Sequence, residues 1–249
     1  MKITDKMKIV TTSWDDGHKL DLKLAILLEK YSIPATFYVS PEDRELQRKD
    51  LLNNTQVKAL SKNKLFEIGG HTITHPVLTD IPLSQAEKEI KESKKYLEKL
   101  VGGKILMFCP PKGLYNQDIK KLIKEAGYLG SRTIQTFRTK SPTDFFEMGT
   151  SNHSVYRNIF YSWGLAFFNN PSFLPFLYNN DWVRISCKIF DHVLEHGGIW
   201  HFWGHSWQIE KNNWWQGLEE IFKYISGNPK VKYLTNGQTL TLLKKENIA

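Results

Sequence analysis

Short apolar runs alternate along this chain with longer stretches whose apolar residues recur at helical spacing, and this alternation is the pattern of a parallel, curled sheet wrapped by helices. Strands are expected at 8–13, 35–39, 66–69, 105–108, 128–131, 199–202 and 231–234, with helices at 20–31, 55–63, 83–100, 117–126, 183–196 and 214–226. In the first helix Leu20, Leu24, Leu27 and Leu28 carry the spacing, and Pro34 opens the second strand. The fold class predicted is α/β, a distorted (β/α)7-type barrel. Such barrels reach this length as one unit, so a single domain over residues 1–249 is expected. One stretch breaks the texture. Residues 151–180 are rich in Tyr, Phe, Asn and Pro, poor in charge and without clean periodicity, and they are predicted to form an insertion.

Composition narrows the function classes. Cys109 and Cys187 are too few and too far apart for a disulfide framework, which points to a reducing compartment. Residues 1–8 hold no apolar run that would serve as a secretory signal, and no stretch has the length a spanning helix needs. A cytoplasmic location is therefore expected. The formal net charge of +8 invites a nucleic-acid reading. Against it, the lysines of 88–104 alternate with glutamates as on a solvated amphipathic helix, and no nucleic-acid module is recognisable. An anionic or lipid-linked substrate accounts for the same charge.

The chemistry gathers where strands run out. Ser13-Trp14-Asp15-Asp16-Gly17 follows the first strand and His71-Thr72-Ile73-Thr74-His75 follows the third. Asp16, His71 and His75 supply one oxygen and two nitrogens, a ligand set that leaves an open position as catalytic zinc sites do. Asp15 remains beside them as a base. Cys109 to Gly113 follows the fourth strand and His205 follows the strand at 199–202, so four segments converge on the rim where such folds place ligand chemistry. Two histidines and a carboxylate also describe the facial triad of non-haem iron oxygenases, but alternating βα units count against that reading.

These motifs resemble those of the polysaccharide deacetylase family, the carbohydrate esterases sharing a NodB-type homology domain. The first motif is similar to the family's Thr-Phe-Asp-Asp-Gly, which implies Asp15 as general base and Asp16 as metal ligand. The second is similar to the family segment whose two histidines bind the metal. Ala35-Thr36-Phe37-Tyr38-Val39 also matches a familiar strand, and Trp200-His201-Phe202-Trp203-Gly204-His205-Ser206-Trp207 resembles the segment supplying the catalytic acid. Between its two histidines, His205 is favoured, because it opens a loop while His201 lies within the strand.

The third motif departs from the family's Phe-Arg-Pro-Pro-Tyr-Gly. In Phe108-Cys109-Pro110-Pro111-Lys112-Gly113, Cys109 replaces the arginine that normally pairs with the base and Lys112 replaces the aromatic. A cation beside a carboxylate favours its charged form. Arg132, just beyond the next strand, is the candidate to restore that cation, with Lys112 second.

The resemblance implies a divalent ion, zinc by default, and hydrolysis of an N-acetyl group on a sugar or lipid-linked glycan precursor. His205 then protonates the departing amine, and backbone N–H groups near Pro111, Lys112 and Gly113 stabilise the oxyanion and meet substrate. Trp207 is expected to border the sugar. The same resemblance admits cyclic amide, imide or N-formyl hydrolysis, or an impaired member that binds glycan. The aromatic segment 156–168 offers a surface for packing, or for peripheral membrane or lipid-linked glycan contact.

Overall fold

The computed structural model describes residues 6–153 and 181–248. Its sheet is built from strands β1 (Lys8–Trp14), β2 (Ala35–Val39), β3 (Phe66–Gly70), β4 (Met107–Phe108), β5 (Gly130–Ser131), β6 (Asn152–His153), β7 (Gly198–Gly204) and β8 (Lys232–Tyr233). All pairings are parallel, in the order β5-β4-β3-β2-β1-β7-β6. β2 pairs with β1 from Thr12 onward, and β8 pairs with its earlier residues Ile9 and Val10. The seven-strand path is a curled half-barrel. Between its end strands, Met148 N donates to Ser131 O and Ser151 N to His201 O, so residues 148–151 carry the wall from β5 toward β7.

The described α-helices are α1 (Asp21–Lys30), α2 (Asn54–Ser61), α3 (Leu83–Val101), α4 (Gln117–Glu125), α5 (Trp182–His196), α6 (Ser206–Lys211), α7 (Trp215–Ile225) and α8 (Asn236–Ile248). Their starts follow local chemistry. Asn53 and Gln56 form a reciprocal capping box at α2, and Asn116 and Asp181 accept N–H bonds at α4 and α5. No helix among the described residues is long and apolar enough to cross a membrane.

Period two on the strands separates two cores. The outer face, Val10, Trp14, Phe37, Ile68, Trp200 and Phe202, packs against Leu24, Leu28, Ile90, Ile189 and Phe222 of the surrounding helices. On the inner face Ile9, Tyr38, Met107 and Ile199 meet Leu240 and Leu243 of α8, which plugs the barrel floor. Polar groups complete that interior. Thr11 Oγ1 donates to Asn236 Oδ1 at 2.8 Å, Asn236 Nδ2 to Tyr38 OH at 3.0 Å, and Gly237 N to Glu67 Oε2 at 2.8 Å. Gly69 is glycine because the Tyr38 ring lies across it; a Cβ there would sit 2.5 Å from a ring carbon.

Three expectations change. Residues 151–153 of the predicted insertion belong to the sheet, with β6 pairing β7, because Ser151 and Asn152 find buried partners in His201 and Ser186. The rest of that insertion, including the segment 156–168, lies outside the described residues. Helices α6 and α8 have no counterpart among the expected elements. In α3, Glu89 is drawn off the expected solvated face and accepts from Ile73 N, Thr74 N and Thr74 Oγ1 at 2.8, 3.0 and 2.7 Å.

Candidate active site

The carboxyl ends of β1, β3, β4 and β7 bring the motifs together. Asp16 Oδ1 lies 3.6 Å from His71 Nε2 and 3.5 Å from His75 Nε2, and all three residues are buried. Their ligand atoms fall within 4.8 Å of one another. His71 Nδ1 is 2.6 Å from the Cys109 carbonyl, an acceptor, so the ring carries its proton there and leaves Nε2 free to ligate. The donor set fits a divalent ion of borderline softness.

Backbone strain marks the same place. Asp16, Thr72, His75 and Lys112 are four of the seven described non-glycine residues at positive φ, at 76°, 66°, 62° and 58°. Such conformations persist only where surroundings impose them. Here Glu89 clamps two N–H groups of the His71 to His75 loop, and Thr72 Oγ1 accepts from His75 N at 3.0 Å.

Electrostatics follow the geometry. Burial opposes charge on Asp16, but His205, His71 and His75 outweigh it and hold the carboxyl well below its ordinary range. Burial and then the His71 charge push His75 down to about 4. Both Nε2 atoms face the same Asp16 oxygen, so a charge on one imidazole opposes a charge on the other.

Asp15 is held apart from that cluster. Arg132, with none of its surface exposed, donates from Nη2 to Asp15 Oδ1, and its guanidinium lies 5.2 Å from the Tyr38 ring centre and 4.8 Å from that of Trp203. Burial works against the guanidinium charge, and Asp15 beside it more than compensates, so Arg132 stays charged. Cys109 Sγ approaches the other carboxylate oxygen at 3.9 Å. Asp15, His71 and Cys109 also form a potential ligand cluster, but the adjacent guanidinium repels a cation at that position. The Asp16 set is the better one.

The two candidate acids separate clearly. His201 is wholly buried, with Nε2 2.9 Å from Ser13 Oγ and Nδ1 3.1 Å from the Gly149 carbonyl. Burial, then Arg132, depress its pKa to about 3. His205 is half-buried, its Nδ1 3.1 Å from Gln208 Oε1 and its Nε2 3.8 Å from Asp16 Oδ2.

In the loop after β4, Pro111–Gly113 form one tight helical turn. The N–H groups of Cys109, Gly113 and Leu114 all donate to backbone carbonyls. Prolines have no N–H, so the Lys112 N–H is the loop's remaining donor among the described hydrogen bonds. The Lys112 side chain instead pairs with Glu45 at the rim. Pro111 is buried beneath the turn and frames it. A Cβ on Gly113, at φ 69°, would meet Ile134 at 2.5 Å. Trp207, expected beside substrate, donates its indole N–H to Asp16 Oδ2 at 2.9 Å.

Sequence reasoning missed Asp43 and Glu45. Asp43 is buried with Oδ2 3.7 Å from His75 Nδ1, and Glu45 Oε2 lies 3.8 Å from the same nitrogen. The available signal was position: carboxylates just beyond the carboxyl end of β2, on the same rim as Asp16, His71 and His75.

Comparison with known proteins decides the family. The polysaccharide deacetylase family model matches residues 2–130, half of the chain. The chain belongs to the polysaccharide deacetylase family. A Bacillus cereus peptidoglycan-N-acetylglucosamine deacetylase is 31% identical over 159 residues, 62% of this chain and 70% of the relative. Three Bacillus subtilis relatives are matched over only 25%, 43% and 34% of their lengths. Among solved structures, a Mycobacterium smegmatis protein described as a polysaccharide deacetylase superposes with a TM-score of 0.70 at 13% identity, covering 99% of this chain and 94% of the other. A family 4 acetyl xylan esterase from Clostridium thermocellum, solved with a cobalt ion, gives 0.59 at 17% identity, covering 94% and 91%. Both show the family's fold in this chain, and the resemblance seen in the motifs extends to the whole curled sheet.

Proposed function

We propose that this family member is a metal-dependent N-deacetylase, hydrolysing the acetamido group of an N-acetylated sugar or glycan precursor to acetate and a free amine. One observation carries the reading: Asp16, His71 and His75 converge on a single point while Asp15, next in sequence to Asp16, is paired separately with Arg132. Two adjacent carboxylates thereby take different tasks. The name of the Bacillus cereus relative supports an N-acetylhexosamine as the sugar.

Asp16, His71 and His75 would hold the ion. A divalent ion in that position polarises the acyl oxygen and brings the pKa of water toward ~7. Asp15 takes the proton from the attacking water, with Arg132 fixing its Oδ1 so that the other oxygen is presented as base. The Lys112 N–H, the loop's remaining donor, would serve the developing oxyanion, with the turn's backbone keeping it in place. His205 delivers a proton to the departing nitrogen, so one water is consumed and the C–N bond breaks between acetate and amine. His201, with both ring nitrogens engaged, serves the barrel wall.

Arg132 stands in for the arginine that Cys109 replaces. Its contact with Asp15 supports an active member over an impaired glycan-binding one.

The test is acetate release from a panel of N-acetylated sugars, chitooligosaccharides and peptidoglycan fragments, with and without chelator. Release abolished by chelator and restored by zinc is expected. A protein loaded with one equivalent of zinc that releases acetate from none of them, yet opens a cyclic imide or cleaves an N-formyl group, overturns the reading.

A further inference from the structure

The two oxygens of Asp16 keep different company. Oδ1 faces the Nε2 atoms of His71 and His75, whereas Oδ2 accepts the indole N–H of Trp207 at 2.9 Å and lies 3.8 Å from His205 Nε2. Trp207 sits in the first turn of α6, directly after β7. That turn is itself pinned: Ser206 Oγ donates to the fully buried Asp21 Oδ1 at 2.6 Å, and His205 Nδ1 meets Gln208 Oε1 at 3.1 Å. The indole therefore approaches Asp16 from a fixed base.

We propose that Trp207 is a positioning residue whose N–H holds Asp16 in the one rotation that offers a cation Oδ1 alone, and couples that ligand to the segment bearing His205. This rests on the assignment of Asp16, His71 and His75 as the ligands. A carboxylate beside a dication takes it through one oxygen or through both, and an N–H on Oδ2 disfavours the second mode. One-oxygen binding keeps a coordination position open for chemistry. Indole suits the task because it donates and never accepts, and its rigid ring loses little freedom in making the bond. The indole that makes this bond also packs beside His205, with ring centroids 5.3 Å apart, so a shift of either ring reaches the other.

Ring packing and hydrogen bonding are separated by two variants. Trp207→Phe keeps an aromatic ring and loses the N–H, while Trp207→Ala loses both. Zinc affinity is read by chelator competition and ligand geometry by the visible spectrum of the cobalt-substituted protein. The Phe variant is expected to bind zinc about tenfold more weakly, the scale of effects for groups that orient metal ligands. Its cobalt bands should weaken as Asp16 swings to two-oxygen binding and coordination number rises, so that Phe behaves like Ala. A Phe variant with the parent's affinity and spectrum, only Ala being impaired, overturns the proposal in favour of packing. If Phe lowers the melting temperature of the metal-free protein, 3-benzothienylalanine at position 207 keeps the bicyclic shape without the donor, and the same outcomes decide. A parent protein that binds no zinc overturns instead the ligand assignment beneath the proposal, and the parent titration alone reveals that case.

Discussion

On β1 and β7 the outward residues Val10, Trp14, Trp200 and Phe202 meet helices mainly through apolar contact, whereas the inward residues Thr11, Ser13 and His201 meet hydrogen-bond partners. The outer face is stabilised by burial, which is non-directional and forgiving of shape at similar volume. Thr11, Ser13 and His201 on the inner face depend instead on groups that satisfy one another. Removing one member strands its neighbour, at about 1–3 kcal/mol for a neutral donor or acceptor and more for a charge. Chemistry is positioned by the second kind of face, and that difference can be broken experimentally.

The largest effect is expected at the proposed metal ligands. His71→Ala or Asp16→Ala should lower acetate release by about a thousandfold or more, and excess chelator on the parent should do the same. Residual activity above a tenth of the parent would remove the site from the mechanism. Next comes Arg132→Met, which leaves Asp15 buried without its cation. Breaking one side of a buried pair costs about 3–5 kcal/mol, and kcat should fall about a hundredfold in whatever protein remains folded. Denaturant melts and single-turnover rates would show both losses, and an unchanged rate would detach Arg132 from the reaction.

Phe202→Ala on the outer face gives the contrast: about 3–5 kcal/mol of stability lost by cavity formation, with zinc affinity of the folded protein unchanged. A weakened zinc site there would show that the two faces are not independent. His201 carries a smaller, pH-dependent effect. Its folded pKa of about 3 lies below its ordinary value of 6.5. Between those values the unfolded chain binds a proton that the folded chain refuses, so its contribution is whole above about pH 6.5 and declines as pH falls toward 3. His201→Gln should flatten the fall of melting temperature between pH 6.5 and 4; equal slopes in parent and variant would count against this. Smallest is Lys112→Ala, whose ion pair with Glu45 is half exposed. Stability should change by less than about 1 kcal/mol, with any effect confined to KM.

The same contrast explains what the sequence disclosed. Outward apolar periodicity located β2 at its observed bounds and most helices to within a residue or two, since helix-facing burial writes itself into residue type at fixed spacing. The cluster of Asp16, His71 and His75 was legible because two short motifs place acids and imidazoles at strand ends. The inner wall was not. Residues 151–153 read as part of an insertion because Ser and Asn satisfy buried partners rather than forming an apolar run. Helix α8 was missed because threonines and a glycine open it and only Leu240 and Leu243 declare its buried side. Glu89 looked like one more solvated glutamate, since its partners are backbone N–H groups that no side-chain pattern encodes. Arg132 was suggested by a gap in the third motif, but its seat between Tyr38 and Trp203 needed three dimensions.

The plug formed by α8 has a kinetic consequence. Asn236 reaches Thr11 across 225 residues of sequence and also binds Tyr38, whose ring backs Arg132. Closing so long a loop is entropically demanding, so such contacts form late in folding. Until that helix docks, the tyrosine backing Arg132 lacks its hydroxyl's partner, and the proposed activity should emerge after most secondary structure has already formed.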